Sequence, residues 1–341
     1  MLANKYFKQG KEFLGVDYPV ICGAMTWVSD PELVSTVSNS GGFGVLAGGN
    51  LAVDVLEEQI GETRGKTEHP FGVNLITVAP NYQDHIELVR EKEVPFVIFA
   101  GSFPRKREIQ RVKESGAKVL CFASTSSIAE RMLKYGTDAI ILEGMEAGGH
   151  VGKVSLVVLL QQVLFSIDEN VPVFIGGGIT TGKLSAHLLM MGGAGIQMGT
   201  KFAVAKESKV HRKFKEKIFN AKARNAVSTP QFDSRLPVVA VRSLHNQAHE
   251  KFNQLQLDLL KSLDNDEITR SEAQQKVEEF WVGALKEAAL EGNVEEGSLM
   301  AGQSAGLVNK EISVSAIIDE MVAEIEKELQ RNKKNLNGLG N

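Results

Sequence analysis

The chain has 341 residues, more than the roughly 250 of a plain β/α barrel but within reach of one barrel plus an accessory domain. A hydrophobic share of 43% and a charged share of 23% are globular values, and a core of this size needs no metal or disulfide staple. The net charge of −4 and pI near 6.0 argue against nucleic acid or an anionic membrane as the main partner, since both reward a basic face.

The amino-terminal stretch, Met1 to Gly15, alternates charge with single apolar residues and lacks the continuous apolar core of a signal peptide. The apolar stretch Val154 to Leu160 stops at Gln161 and Gln162, far short of a membrane span. A cytoplasmic protein is expected. Cys22 and Cys121 each sit inside an apolar run and read as free buried thiols.

Short apolar runs rich in Val, Ile and Phe recur along the first 202 residues. They are Tyr18–Met25, Gly42–Gly49, Phe71–Thr77, Phe96–Gly101, Lys118–Ser124, Ala139–Gly144, Val171–Ile179 and Gly195–Phe202. Continuous apolarity fits strands buried on both faces, as in a parallel sheet. Most of the gaps read as amphipathic helices. In the first gap Asp30 can cap, Pro31 suits the first turn, Leu33 and Val37 give the stripe, and Gly41 closes it. Strand and helix alternating eight times predicts an α/β fold, a (β/α)8 TIM-type barrel over residues 1–220. An open doubly wound sheet, the main rival, usually uses fewer strands.

After about Asn220 the texture changes. Ala221 to Pro237 reads as irregular, and two long helical patterns follow near Ser243–Leu263 and Ser271–Glu291, separated by the polar hinge Asp264–Thr269. Residues 221–304 are therefore expected to be an inserted, mainly helical small domain after strand 8. Val314, Ile317, Ile318, Met321, Val322, Ile325 and Leu329 share one helical face, so residues 305–330 are expected to return as a helix that closes the barrel. The tail, 331–341, is expected to be disordered.

Glycine collects where strands end: Gly23, Gly48-Gly49, Gly101, Gly148-Gly149, Gly176-Gly177-Gly178 and Gly199. In a barrel these ends make the carboxyl-terminal face, where active sites are built, and the last two strands make its phosphate corner. Backbone N–H groups at such glycines can bind a dianionic phosphate without any lysine. Two near-misses carry no function. Gly177 through Lys183 matches a P-loop until Leu184 stands where Ser or Thr is needed, and Gly42, Gly44 and Ala47 fall inside a strand, not on a strand-to-helix turn.

Of seven histidines, only His150 lies in a glycine-rich strand-end loop, where an imidazole is a natural general acid or base. His245 and His249 have metal-ligand spacing, but Asn246 follows the first of them and no third ligand is evident. No metal site is expected. Phe280, Trp281, Val282 and Leu285 read first as the core of the small domain, and second as the lining of a cleft.

These landmarks resemble a known family, the flavin-dependent enoyl-acyl-carrier-protein reductases within the wider nitronate monooxygenase (2-nitropropane dioxygenase) superfamily. The resemblance runs nearly end to end. It is carried by Gly23-Ala-Met-Thr-Trp-Val28, Gly41-Gly-Phe-Gly44, Pro70-Phe-Gly-Val-Asn74, Glu143-Gly-Met-Glu-Ala-Gly-Gly-His-Val-Gly-Lys153, Gly176-Gly-Gly-Ile179, Gln197-Met-Gly-Thr-Lys-Phe202 and Gly297-Ser-Leu-Met-Ala-Gly-Gln303. Placement in the reductase branch rests on the glutamate-to-histidine stretch and the Ser-Leu-Met-Ala-Gly-Gln segment.

The resemblance implies FMN across the barrel mouth. Gly23, Ala24, Met25 and Asn74 would line its ring system, Ala147 and Gly148 would pass close to the ring, and Gly177, Gly178, Gly199 and Thr200 would take the phosphate. His150 would be the catalytic histidine. NADH or NADPH would supply hydride for a trans-2-enoyl thioester carried by an acyl-carrier protein, and a homodimer is compatible with that reading. The alternatives on the same scaffold are a nitronate monooxygenase, which oxidises nitronates or nitroalkanes with O₂, and an NAD(P)H:quinone reductase. A non-catalytic barrel that binds a phosphorylated ligand would not need His150. Two segments depart from the family: the fourth strand ends Ala100-Gly-Ser-Phe-Pro104, where members often carry Asn after the glycine, and Phe232–Val241 is more proline-bearing and apolar than the family pattern.

Overall fold

The computed structural model of the chain describes residues 1–168, 170–236 and 238–338. Its centre is a closed barrel of eight parallel strands: β1 (Val20–Cys22), β2 (Phe43–Ala47), β3 (Phe71–Ile76), β4 (Phe96–Ala100), β5 (Lys118–Ala123), β6 (Ala139–Glu143), β8 (Val173–Gly176) and β9 (Gly195–Met198), with β1 pairing β9. Strand β7 (Gly149–His150) stands outside the ring. The barrel expected from the eight apolar runs is therefore present.

Each strand is apolar on both faces because each face has a core to fill. Ile21, Phe43, Val45, Phe96, Ile98, Leu120, Ala139, Ile141 and Phe174 pack together inside the barrel. Their neighbours along the strands, such as Val20, Val73, Val97, Val119, Ile140 and Ile175, pack outward under the helices. That alternation is the period of two of a strand.

The surrounding helices are α2 (Pro31–Asn39), α3 (Val53–Lys66), α4 (Tyr82–Glu91), α5 (Lys106–Lys113), α6 (Ser126–Tyr135), α7 (Leu156–Leu159), α8 (Gly182–Met190), α9 (Thr200–Ala203) and α10 (Arg212–Asn220). The Asp30 carboxylate accepts from Leu33 N at 3.1 Å, so it caps α2 as its sequence suggests. A further helix, α1 (Ala3–Leu14), was not legible in the alternating amino-terminal segment. It leads into the plug of the barrel's lower end: Leu14 is buried in the interior cluster, and the Phe13 ring lies 6.0 and 5.9 Å from those of Phe96 and Phe174.

Beyond α10 the chain forms β10 (Ala226–Ser228), β11 (Val241–Leu244), α11 (Gln247–Asp264), α12 (Arg270–Lys286), β12 (Leu299–Met300) and α13 (Val314–Gly338). Strands β10, β11 and β12 make a four-stranded sheet with β7, which reaches out of the barrel to pair antiparallel with β11. The inserted segment thus carries a sheet as well as its two helices. The helix expected from Ser243 starts later, because Val241–Leu244 is a strand and Asn246 caps α11 by accepting from Ala248 N at 3.1 Å.

Leu236, Val241, Phe252, Leu259, Ala273, Val277 and Trp281 form a separate core under α11 and α12. Trp281 lies in it, as foreseen, whereas Leu285 packs into the main core instead. Helix α13 returns to α8 with Ile317, Ile318, Met321 and Ile325 buried. It also carries Glu326, which accepts from Leu2 N and Ala3 N at 2.9 and 2.8 Å and so caps α1. The helix does not stop near residue 330. It continues through Arg331 to Gly338, because its i to i−4 bonds need no tertiary partner to run past the barrel. Residues 339–341 lie outside the described residues.

No described helix is long and apolar enough to cross a membrane. Cys22 and Cys121 are free and buried, and burial pushes both thiols up.

Candidate active site at the barrel mouth

Inward positions at the carboxyl ends of the strands build the floor of the mouth. Alternation from the interior cluster places Asn74 on β3, Phe122 on β5, Glu143 on β6 and Gln197 on β9 in that layer, with the small residues Gly23 and Gly176 between them. Asn74 is anchored by its Nδ2, which donates to Ile98 O at 3.0 Å. Glu143, Gly176 and Gln197 stand side by side across β6, β8 and β9. A Cβ on Gly176 would lie 3.5 Å from the Gln197 side chain, and one on Gly23 would lie 3.1 Å from it. The floor is therefore low along this side and polar at its edges, a shape that accepts a flat heteroaromatic ring.

Glu143 is partly open to the mouth, yet apolar strands wall it and no hydrogen-bond partner reaches it among the described residues. Burial pushes its carboxyl up to about 8. A neutral carboxylic acid there can donate a hydrogen bond, as Gln197 can with its amide.

At one corner the backbone turns sharply after β8. Gly177 and Gly178 have φ of +100° and +71°, and a Cβ on Gly177 would come within 2.9 Å of the backbone N and O of Gly144. Only glycine fits there. Two residues on, the Thr180 Oγ1 is buried without a partner among the described residues. Gly199 precedes α9, and a Cβ on it would touch only Met25, at 3.6 Å from the sulfur. Thr200, expected within the eighth strand, instead opens α9, because β9 ends at Met198. Bare, kinked glycine backbone beside an unpaired hydroxyl is a fit for the FMN phosphate.

The Ser-Leu-Met-Ala-Gly-Gln segment comes to the same corner. Gly302 N donates to Thr200 Oγ1 at 3.1 Å, and Gln303 N donates to Glu146 O at 3.0 Å. Gly148 lies so close to this segment that a Cβ would stand 2.5 Å from Ala301 C and Gly302 N. Of the residues singled out in the sequence, Gly23, Met25, Gly148, Gly177, Gly178, Gly199 and Thr200 thus lie on strand ends and loops of one barrel face. Ala24 packs against the interior cluster at that end, and Ala147 N bonds back to Gly144 O at 3.1 Å.

His150 is placed differently. On β7 it pairs with Val241 of the inserted segment, and its exposed imidazole meets Glu278 of α12, Nε2 to Oε2 3.2 Å. It belongs to the seam between barrel and insert. Trp27 crosses the same seam: its Nε1 donates to Val282 O at 2.9 Å. Trp27 has a φ of +66°, a conformation that costs about 1–3 kcal/mol in a bulky residue and persists only where surrounding contacts enforce it.

Sequence reasoning did not find Glu143, Gln197, Glu278 or Arg242. Arg242 is buried beside the loop and donates from Nε to Met145 O at 2.8 Å and from Nη1 to Ala226 O at 2.6 Å. Counting inward positions along β6 and β9 would have exposed the first two. His245 and His249 stack as rings 5.1 Å apart, and no cluster of three or more potential metal ligands occurs among the described residues.

Comparison with known proteins agrees with this geometry. The family model described as nitronate monooxygenase matches residues 8–91 and 76–324. The chain is 30% identical to (3aS,4S,5R,7aS)-5-hydroxy-7a-methyl-1-oxo-octahydro-1H-indene-4-carboxyl-CoA dehydrogenase of Mycobacterium tuberculosis, over 94% of this chain and 96% of that protein. It is also 30% identical to a probable nitronate monooxygenase of Staphylococcus saprophyticus, over 93% and 97% of the two chains. Among solved structures it is similar to FabK from Thermotoga maritima, with 34% identity, a TM-score of 0.84, and coverage of 95% of this chain and 98% of that one. A closed parallel barrel and a match to the family model that runs from residue 8 to residue 324 make this chain an oxidoreductase of the nitronate monooxygenase family.

Proposed function

We propose that this protein is an FMN-dependent enoyl-thioester reductase of the enoyl-acyl-carrier-protein type, with NADH or NADPH as electron donor. The family is flavin-dependent. The observation that carries the finer reading is the full-length likeness to FabK, an enoyl-acyl-carrier-protein reductase, joined to a seam that presents His150 on the same barrel face as the glycine corner. The likeness to a dehydrogenase named for an acyl-CoA compound supports a thioester as the substrate class.

When bound, FMN supplies hydride chemistry between a nicotinamide and an electron-poor double bond. The chain's own residues do the rest. Gly177, Gly178, Gly199 and Thr200 hold the phosphate, and Gly23, Ala24, Met25 and Asn74 line the ring. Ala147 and Gly148, pressed against Ala301 and Gly302, keep the loop backbone near it. Glu143 and Gln197 offer donors at the floor.

His150 provides the proton. Glu278 fixes the ring through Nε2, which leaves Nδ1 to serve the substrate. As charge builds on the thioester carbonyl oxygen, a donor aimed at that oxygen lowers the barrier, and the same proton then completes the α-carbon.

A second reading, oxidation of nitronates with O₂, is supported by the family model and by the staphylococcal relatives. Anaerobic titration of the purified flavoprotein separates the two. Bleaching by NADH or NADPH, with recovery of colour on adding a crotonyl thioester, is the expected result. Bleaching by nitronate alone, with no response to either nicotinamide, would sink the reductase reading.

A further inference from the structure

We propose that the loop after β4 and the first turns of α5 and α6 form a docking surface for an acidic carrier protein that delivers the thioester. This rests on the reductase reading.

The chain carries a net charge of −4, so an acidic partner approaching at random is repelled. Against that background Arg105, Lys106 and Arg107 follow one another directly after Phe103 and Pro104. Arg105 lies within electrostatic reach of Tyr82, whose hydroxyl bonds to Glu108 at 3.1 Å. Lys106 and Arg107 have no carboxylate within 4 Å among the described residues, and neither have Arg131 or Lys153. By contrast, Arg111 and Lys113 farther along α5 are paired with Glu87 and Asp138.

Local energetics do not account for this arrangement. Lys106 and Arg107 occupy the first turn of α5, where the helix dipole disfavours cations by about 0.3–1 kcal/mol each. Phe103 is a second anomaly: its ring is 44% exposed, and the Arg131 guanidinium sits 5.5 Å from its centroid. An exposed aromatic flanked by unpaired cations on two helices is the composition of an interface centre with a charged rim. Glu130, the nearest acidic residue in sequence to Arg131, faces the groove toward Gln162 and Ser166 instead.

The location suits delivery. Phe103 is three residues past Ala100, the end of β4, so the surface borders the mouth within about 10 Å of chain. Cations dispersed over a loop and two helices suit the acidic face of a protein. The phosphates of coenzyme A would instead call for donors that converge on one point.

The test uses the flavin-loaded enzyme with Lys106→Glu, Arg107→Glu and Arg131→Glu combined, and Phe103→Ala separately. Binding of crotonyl-loaded bacterial acyl carrier protein is measured by calorimetric titration, alongside steady-state reduction of that substrate and of crotonyl coenzyme A. The expected result is a Kd and KM for the carrier-protein substrate raised about tenfold or more by the charge reversal, with the difference shrinking as salt rises, and a KM for crotonyl coenzyme A changed less than about twofold. Phe103→Ala is expected to weaken carrier binding at every salt concentration. An unchanged Kd for the carrier protein overturns the proposal, and so does an equal loss with crotonyl coenzyme A. If the wild type binds carrier protein through this surface but reduces no enoyl thioester, the docking surface stands and the reductase reading fails. If it reduces crotonyl coenzyme A but never binds carrier protein, the reverse holds.

Discussion

Glu278 holds the Nε2 of His150 at 3.2 Å, and the two residues come from separate parts of the fold. His150 stands on a two-residue strand that leaves the barrel to pair with β11, while Glu278 lies on α12 of the insert. The imidazole is thus set by the insert, although the chain segment that carries it belongs to the barrel.

This contact separates catalysis from folding. The His150 side chain is exposed and, among the described residues, pairs only with Glu278, so His150→Ala should fold, keep its yellow colour and lose about 10²–10⁴ of turnover. Glu278→Gln retains an oxygen that can accept from Nε2 and should lose less than about tenfold. Flavin absorbance and crotonyl-thioester reduction check both variants. Turnover of His150→Ala near the wild-type rate would remove the histidine from the mechanism.

The phosphate corner predicts a different phenotype. Gly177→Ala would force a Cβ to 2.9 Å from the Gly144 backbone at a φ of +100°. Strain of about 1–3 kcal/mol should weaken FMN binding at least about tenfold, or leave the protein colourless. Flavin fluorescence titration reads this directly. Unaltered affinity would mean that the phosphate lies elsewhere.

The barrel was legible in the sequence because eight strands buried on both faces leave eight uninterrupted apolar runs. The sharp turn after β8 was legible because backbone that must kink and stay bare writes glycine. The insert's sheet was not: β10 and β12 are three and two residues long, and they, like β7, each pair with β11 across intervening chain. Helix α1 was hidden for a related reason, since its charged residues sit between the few positions, Ala3, Phe7 and Leu14, that meet the barrel. Glu143 was visible as a letter, but its meaning depends on register. Only pairing with Gly176 and, through it, Gln197 puts its carboxyl on the floor of the mouth.

Glu143 gives a pH signature that needs no assay of activity. Its carboxyl is raised to about 8 in the folded chain, so its stabilising contribution is complete below the ordinary glutamate range and is lost as pH rises through 8. Glu143→Gln cannot ionise. Its melting temperature, measured on flavin-free protein, should gain on the wild type between about pH 5 and about pH 9. A constant difference across that range would show that Glu143 is ionised throughout.

The insert should respond to acid in the opposite sense. His249 is buried in the first turn of α11, its Nε2 lies 3.3 Å from Ser243 Oγ, and the His245 ring stacks on it. Burial first, and the neighbouring His245 second, push its imidazole down. A folded value below the unfolded one means that the neutral form is favoured in the native state. Stability is then full above about pH 6.5 and falls as protons bind the unfolded chain more readily. Burial depresses His85 in the barrel in the same direction, so one substitution should reduce the acid loss without abolishing it. His249→Gln keeps a polar group near Ser243 and removes the titration. Its drop in melting temperature from about pH 8 to about pH 5 should be smaller than that of the wild type. An equal drop would locate the acid sensitivity outside the insert, with His85 as the next residue to substitute.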